Sequence, residues 1–151
     1  MIRIKKGLDI PIYGSPAEDI VDSKKSRSVA ILGSDYIGMK PTMLVDEGDI
    51  VKIGQPLFED KKNPGVIVTS PAGGRVEAIN RGDRRVLQSI VIEISQDEDS
   101  IQFDNFSLDT LTNCSSDSIR DQLIQSGMWT SFRTRPYSKV PTVKSLPANI
   151  F

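Results

Sequence analysis

Between residues 28 and 94 the apolar positions fall in short runs, each closed within a few residues by glycine, proline or an acidic turn. Ser28–Leu32 reads as a buried strand ended by Gly33. Further strands are expected near 42–45, 50–53, 56–59, 66–69, 75–79 and 86–94. The first of these follows Pro41, because the residue before a proline is pushed out of the helical region. Strands this short and evenly spaced predict a sandwich or barrel rather than a parallel sheet with crossover helices. At the start of the chain Ile2 and Ile4 alternate with Arg3 and Lys5, a weaker strand signal that Pro11 and Gly14-Ser15-Pro16 break. Residues 17–27 read as an exposed loop.

Past residue 100 the pattern changes. Residues 101–113 are polar with scattered anchors at Phe103, Phe106, Leu108 and Leu111, as in a linker that packs against something. One helix follows. The serines at 115, 116 and 118 supply an N-cap, Asp117 and Asp121 favour its positive end, and Ile119, Leu123 and Ile124 form an apolar stripe. Gly127 stands where a left-handed residue ends a helix. The tail beyond it is punctuated by prolines, and Ile150-Phe151 reads as the opening of a buried strand in a longer protein. The expected organisation is an N-terminal extension over 1–28, a β domain over 29–100, a linker over 101–115, and over 116–151 a helix opening a further α/β domain.

The turns narrow the fold. Gly48-Asp49 and Gly54-Gln55 flank β-branched runs, and Ser70-Pro71-Ala72-Gly73-Gly74 precedes another strand. Gly82-Asp83 before Val86 echoes Gly48-Asp49 before Val51, as if two hairpin units faced each other. This grammar resembles the lipoyl- and biotinyl-carrier type of flattened barrel, the barrel-sandwich hybrid, and implies a mainly β fold. Such carriers modify a lysine at the tip of a tight hairpin. Here Phe58-Glu59-Asp60-Lys61 begins well, but Lys62-Asn63-Pro64-Gly65 follows and takes over the turn. Lys61 is displaced from the tip, so no covalent cofactor is expected. Gly73-Gly74 leads into a strand rather than a helix N-terminus, which favours a turn over a phosphate cradle.

Composition removes whole classes of chemistry. The 151 residues hold no histidine and one cysteine, Cys114. Histidine-based acid–base catalysis, a Ser-His-Asp triad and a cysteine zinc site are excluded, and neither a catalytic residue nor a metal site is expected. A single thiol makes no internal disulfide and suits a reducing compartment. The net charge of −1 gives no pull toward nucleic acid. No run approaches the roughly 20 apolar residues of a membrane span. Charge is nevertheless uneven: residues 93–121 carry eight acids and one base, whereas 133–144 carry four bases and no acid.

Two clusters remain as candidate contacts. Trp129, Phe132, Arg133 and Arg135 combine apolar faces with planar donors, a mixture suited to a flat ring or to a partner interface. The alternative for Trp129 is packing of the helix end onto the barrel. Arg81, Arg84 and Arg85 surround Gly82-Asp83, where they offer bidentate donors to an anion or partner, or form an exposed turn.

Four stretches carry a more specific likeness: KKGLDIPI, LGSDYIGMKPTMLVDEGDIVKIGQPLFEDKKNPG, SPAGGRVEAINRGDRRVLQSIVIEI and LIQSGMWTSFRTRPYSKVP. Together they closely resemble the A subunits of the Na⁺-translocating NADH:quinone oxidoreductases. The resemblance implies a six-subunit bacterial respiratory complex that oxidises NADH, reduces ubiquinone and exports Na⁺. The A subunit of that family lies peripherally on the cytoplasmic side of the inner membrane and docks on its fellow subunits, integral ones included. The family is also similar to flavin-carrying subunits of other respiratory complexes. Where those hold FMN on a glycine-rich loop, this chain has Ser126-Gly127-Met128-Trp129-Thr130. Bulky side chains there imply that the chain binds no cofactor, leaving ubiquinone as a substrate of the complex. The alternative is an assembly module with no ligand of its own.

Overall fold

A computed structural model describes the chain apart from residues 1–12, 23, 112 and 151. The strand signal at Ile2 and Ile4 lies outside the described residues. Among the described residues, seven strands form two antiparallel sheets. β1 (Ser28–Leu32), β7 (Leu87–Ile94), β6 (Gly74–Arg81) and β3 (Ile50–Val51) lie side by side in that order, and β2 (Pro41–Met43), β4 (Pro56–Asp60) and β5 (Ile67–Thr69) make the second sheet. The mainly β, barrel-sandwich reading holds, with strand bounds within a few residues of those expected. β1 differs in character. Val29 and Ile31 pack half-buried on the core while Ser28, Ala30 and Leu32, the last 48% exposed, alternate outward, so the strand is buried on one face only.

Both sheets turn their apolar faces onto one core, in which Val51, Leu57, Phe58, Val76, Ile90 and Ile92 are almost completely enclosed. Inward and outward positions alternate along β6 and β7, as the two-residue period of a strand requires. Shifts of register in β4 and β6 let the sheets curl over this core. Gly74 shows why the Gly-Gly pair is needed: a side chain there would run into the carbonyl of Glu93 on the neighbouring strand.

Residues 99–101 return to the barrel. Ile53 bridges Ser100, and Lys52 pairs with Asp99 at 2.6 Å. A helical turn at α1 (Leu108–Leu111) interrupts the stretch expected to be irregular. Ser107 and Thr110 close it by exchanging backbone-to-side-chain bonds of 2.9 and 3.3 Å. α2 (Ser116–Gln125) starts as anticipated, with the Ser115 hydroxyl accepting from the Ser118 N–H at 3.1 Å. Gly127 ends it at φ +75°, and a short 3₁₀ turn, Met128–Ser131, follows. Ile150 is 74% exposed and belongs to no described strand, and Phe151 lies outside the described residues. No described helix is long and apolar enough to cross a membrane.

Candidate functional site

The 3₁₀ turn after α2 rests on β5, and glycine is required at the join. A Cβ on Gly127 would lie 2.6 Å from the Thr69 hydroxyl, which instead donates to the Ser126 carbonyl at 3.3 Å. Backbone and barrel approach too closely there for any side chain. This contact fixes where Trp129 falls. The indole is 8% exposed, and its N–H donates to the Pro141 carbonyl at 3.0 Å.

The same carbonyl accepts a second bond, 3.1 Å from the Asn63 amide, which also reaches the Val140 carbonyl at 3.4 Å. Asn63 lies in the β4–β5 hairpin and is buried. One tail carbonyl thus joins the barrel hairpin to the turn after α2. The hairpin is braced on its other side. Asp60 accepts from the N–H groups of Lys40 and Lys62 at 2.9 and 3.0 Å, and the Lys62 ammonium donates to the Gly38 carbonyl at 2.9 Å. Lys61 is exposed on the shoulder, and the residue at the turn, Asn63, lies beneath the tail.

Between these parts lies a cleft of about 310 Å³, lined among others by Tyr36, Met39, Lys62, Asn63, Val66 and Lys139. Its lining is mixed: Ile37, Met39, Val66, Val68 and Val140 are apolar, and Asp60, Lys62, Asn63, Lys139 and Thr142 add polar and charged groups. Tyr36 packs edge-on against Phe58, with centroids 5.9 Å apart, and Arg133 lies over its ring at 5.7 Å. Burial pushes the Tyr36 phenol above its ordinary value, against the pull of Arg133, with Asp35 adding to the rise. The phenol therefore keeps its proton at neutral pH. A larger groove, about 500 Å³, runs between residues 102–104 and α2, but Asp104, Asp117, Asp121 and several amides make it acidic and polar. It suits a flat apolar ring poorly.

The candidates from sequence separate accordingly. Trp129 and Phe132 touch edge to face, 5.3 Å apart, and Phe132 remains 37% exposed. Arg133 turns to Tyr36 instead, while Arg135 is exposed at a cis bond to Pro136. Arg81, Arg84 and Arg85 belong to the other sheet, at the tip of the β6–β7 hairpin, and all three are exposed. Sequence reasoning did not single out Tyr36, Lys62, Asn63 or Lys139. The one available signal was Tyr36 between two glycine turns, an aromatic residue where turn chemistry calls for polar ones. Among the described residues no group of three or more acidic or cysteine side chains is placed to hold a metal.

The geometry meets a clear likeness. Residues 2–95 match the family model of the NqrA N-terminal barrel-sandwich hybrid domain, and residues 114–151 match that of the NqrA second alpha/beta domain. The chain belongs to the NqrA family. Proteins named as the A subunit of Na(+)-translocating NADH-quinone reductase are similar over all 151 residues, at 56% identity in Haemophilus influenzae strain PittGG and 54% in Yersinia pestis bv. Antiqua. The chain spans 34% of the length of each of these relatives. The seam closed by the Pro141 carbonyl joins the stretches matched by the two NqrA models, since Asn63 belongs to the first and Trp129 to the second.

Proposed function

We propose that this chain is the N-terminal region of the A subunit of a sodium-exporting NADH:ubiquinone reductase, acting in its quinone-reducing half. The protein lies on the cytoplasmic side of the bacterial inner membrane and attaches by docking on its fellow subunits, integral ones included. It binds no cofactor, and ubiquinone reaches it as a substrate of the complex. The observation that carries this reading is the unbroken likeness to proteins of that name over the whole chain.

Within that role the cleft beside Tyr36 is the best seat for a quinone ring. Met39 and Val66 offer apolar wall, and Lys62 and Lys139 bring ammonium donors to its lining. Arg133 lies against the same tyrosine, so the Trp129–Arg135 segment supports the seat even though its indole faces inward. A second reading, a docking module with no ligand, draws support from the internal bond that already occupies the Trp129 N–H. The two are separated by titrating a short-chain ubiquinone into the full-length protein by calorimetry. Saturable binding, weakened by Lys139→Ala but not by Ser28→Ala on the far sheet, is the expected result. Absence of binding by a folded protein refutes the quinone seat and leaves the docking module.

A further inference from the structure

The β6–β7 hairpin ends in a tip whose backbone is unusual. Arg84 and Arg85 both take left-handed conformations, at φ 53° and 63°, a region that residues other than glycine seldom occupy. The tip is held in that shape from within. The Gly82 N–H donates to the Val86 carbonyl at 2.8 Å, the Arg85 N–H to the Gly82 carbonyl at 3.0 Å, and Arg81 Nη1 to the Arg85 carbonyl at 3.3 Å. The outcome is a tip on which Arg81, Arg84, Arg85 and Val86, the last 63% exposed, all reach solvent together with one acid, Asp83. No ion pair among the described residues involves any of the three; those present are Lys52–Asp99 and Arg120–Asp117. A chain of net charge −1 thus displays a tip with three bases against one acid, ending in an exposed valine.

We propose that this tip, Arg81 to Val86, is a docking element for a carboxylate-lined recess on a neighbouring member of the complex. The assignment rests on the reading of the chain as part of that complex. Arginine forks pair with carboxylates through two parallel bonds, and a tip already fixed in shape loses little freedom on binding. Val86 adds apolar area to such a contact, and the arginines its charged part. A lipid surface fits less well, since basic membrane-binding segments commonly carry about four to eight lysines or arginines.

The test measures the affinity of the full-length protein for the detergent-solubilised complex lacking it, at low and at physiological salt. Arg84→Gly/Arg85→Gly is the informative variant, because glycine accepts both backbone conformations and the fold is preserved. Affinity is expected to fall on the order of tenfold in that variant, and further in Arg81→Glu/Arg84→Glu/Arg85→Glu. The wild-type affinity should drop with salt while the glycine variant responds less. Equal affinity of all three proteins overturns the tip assignment and leaves the proposed place in the complex standing. Failure of the wild type to bind overturns both. Flotation of the wild-type protein alone with vesicles of equal phosphatidylglycerol and phosphatidylcholine, lost in the glycine variant, reassigns the tip to lipid and overturns the protein partner.

Discussion

The Pro141 carbonyl offers a quantitative test of how the tail is held, because two donors from different parts of the chain share it. Removing the indole N–H with Trp129→Phe leaves the Asn63 amide, 3.1 Å away, in place. The bond itself is worth about 0.5–1.5 kcal/mol, so local opening of residues 139–143 should become roughly 2- to 12-fold easier, before any effect of the smaller ring. Asn63→Ala alone should cost a similar amount. The double variant is different in kind. It leaves a half-buried carbonyl with no protein donor, at an additional cost of about 1 kcal/mol, the low end for an unsatisfied group. The double variant should therefore open about fivefold more readily than the product of the single effects. Ring size and lost amide packing cancel in the cycle. Amide hydrogen exchange across residues 134–145 of the full-length protein reads this opening directly. Thr134 and Ser145 are convenient reporters, since their N–H groups donate to the Lys139 and Thr142 carbonyls at 2.8 and 3.0 Å. Strict additivity, or unprotected amides in the wild type, would falsify the shared-acceptor account.

Two further outcomes follow from named contacts. Gly127→Ala should destabilise the docking of α2 by about 2 kcal/mol or more, from left-handed strain of about 1–2 kcal/mol plus the approach to Thr69 at 2.6 Å. In a Thr69→Ala background, where only the Cβ at 3.2 Å remains, the same change should cost less, and equal costs in both backgrounds on urea denaturation refute the contact. The Tyr36 phenol should ionise above its ordinary value, and Arg133→Ala should raise it further by removing the nearby positive charge. Because the folded phenol holds its proton more tightly than the unfolded chain does, its contribution to stability is intact below the ordinary phenol range. It is lost as pH climbs through the raised folded value. Absorbance at alkaline pH, taken as the difference from Tyr36→Phe, reads the titration, and a downward move in Arg133→Ala refutes the placement of the guanidinium.

Local signals carried the fold because local chemistry decides it here. Turn glycines and β-branched runs set the strands, and Ser115 and Gly127 set the ends of α2, each through contacts within a few residues. The one-sided burial of β1 was not legible, since beyond Ser28 the run VAIL carries no polar residue to mark its outward face. The helical turn at Leu108–Leu111 was missed for a related reason. Its reciprocal Ser107–Thr110 bonds stabilise one turn without the apolar period that identifies a longer helix. The cleft was hidden altogether. Tyr36, Lys62 and Lys139 are separated by tens of residues: the β2–β4 pairing and the Lys62–Gly38 bond bring the first two together, and the tail that crosses the β4–β5 hairpin adds the third. Composition pointed to Trp129 and Arg133 but not to what each would touch: one meets the tail carbonyl, the other a tyrosine distant in sequence, just after β1.

The position of that tail bears on how such a barrel changes use. A carrier presents the tip of its hairpin to successive enzymes, which requires the tip to stand free. In this chain Asn63 is buried under the tail, a Cβ on Gly65 would lie 3.4 Å from Val143, and Lys62 is bonded back to Gly38. Each contact draws the hairpin inward, and together they turn a presenting element into one wall of a cleft. Tyr36 to Met39 form another, both within the stretch that matches the first domain model, and Lys139, Val140 and Thr142 add a third from the stretch that matches the second. Any ligand of the cleft would therefore report on how tightly those two stretches are held together. A variant that loosens the Pro141 seam without lining the cleft, such as Trp129→Phe, should then weaken quinone binding in proportion to the opening measured by hydrogen exchange. If the seam opened severalfold and binding did not change, cleft and seam would be independent, and the quinone seat would have to lie elsewhere in the protein.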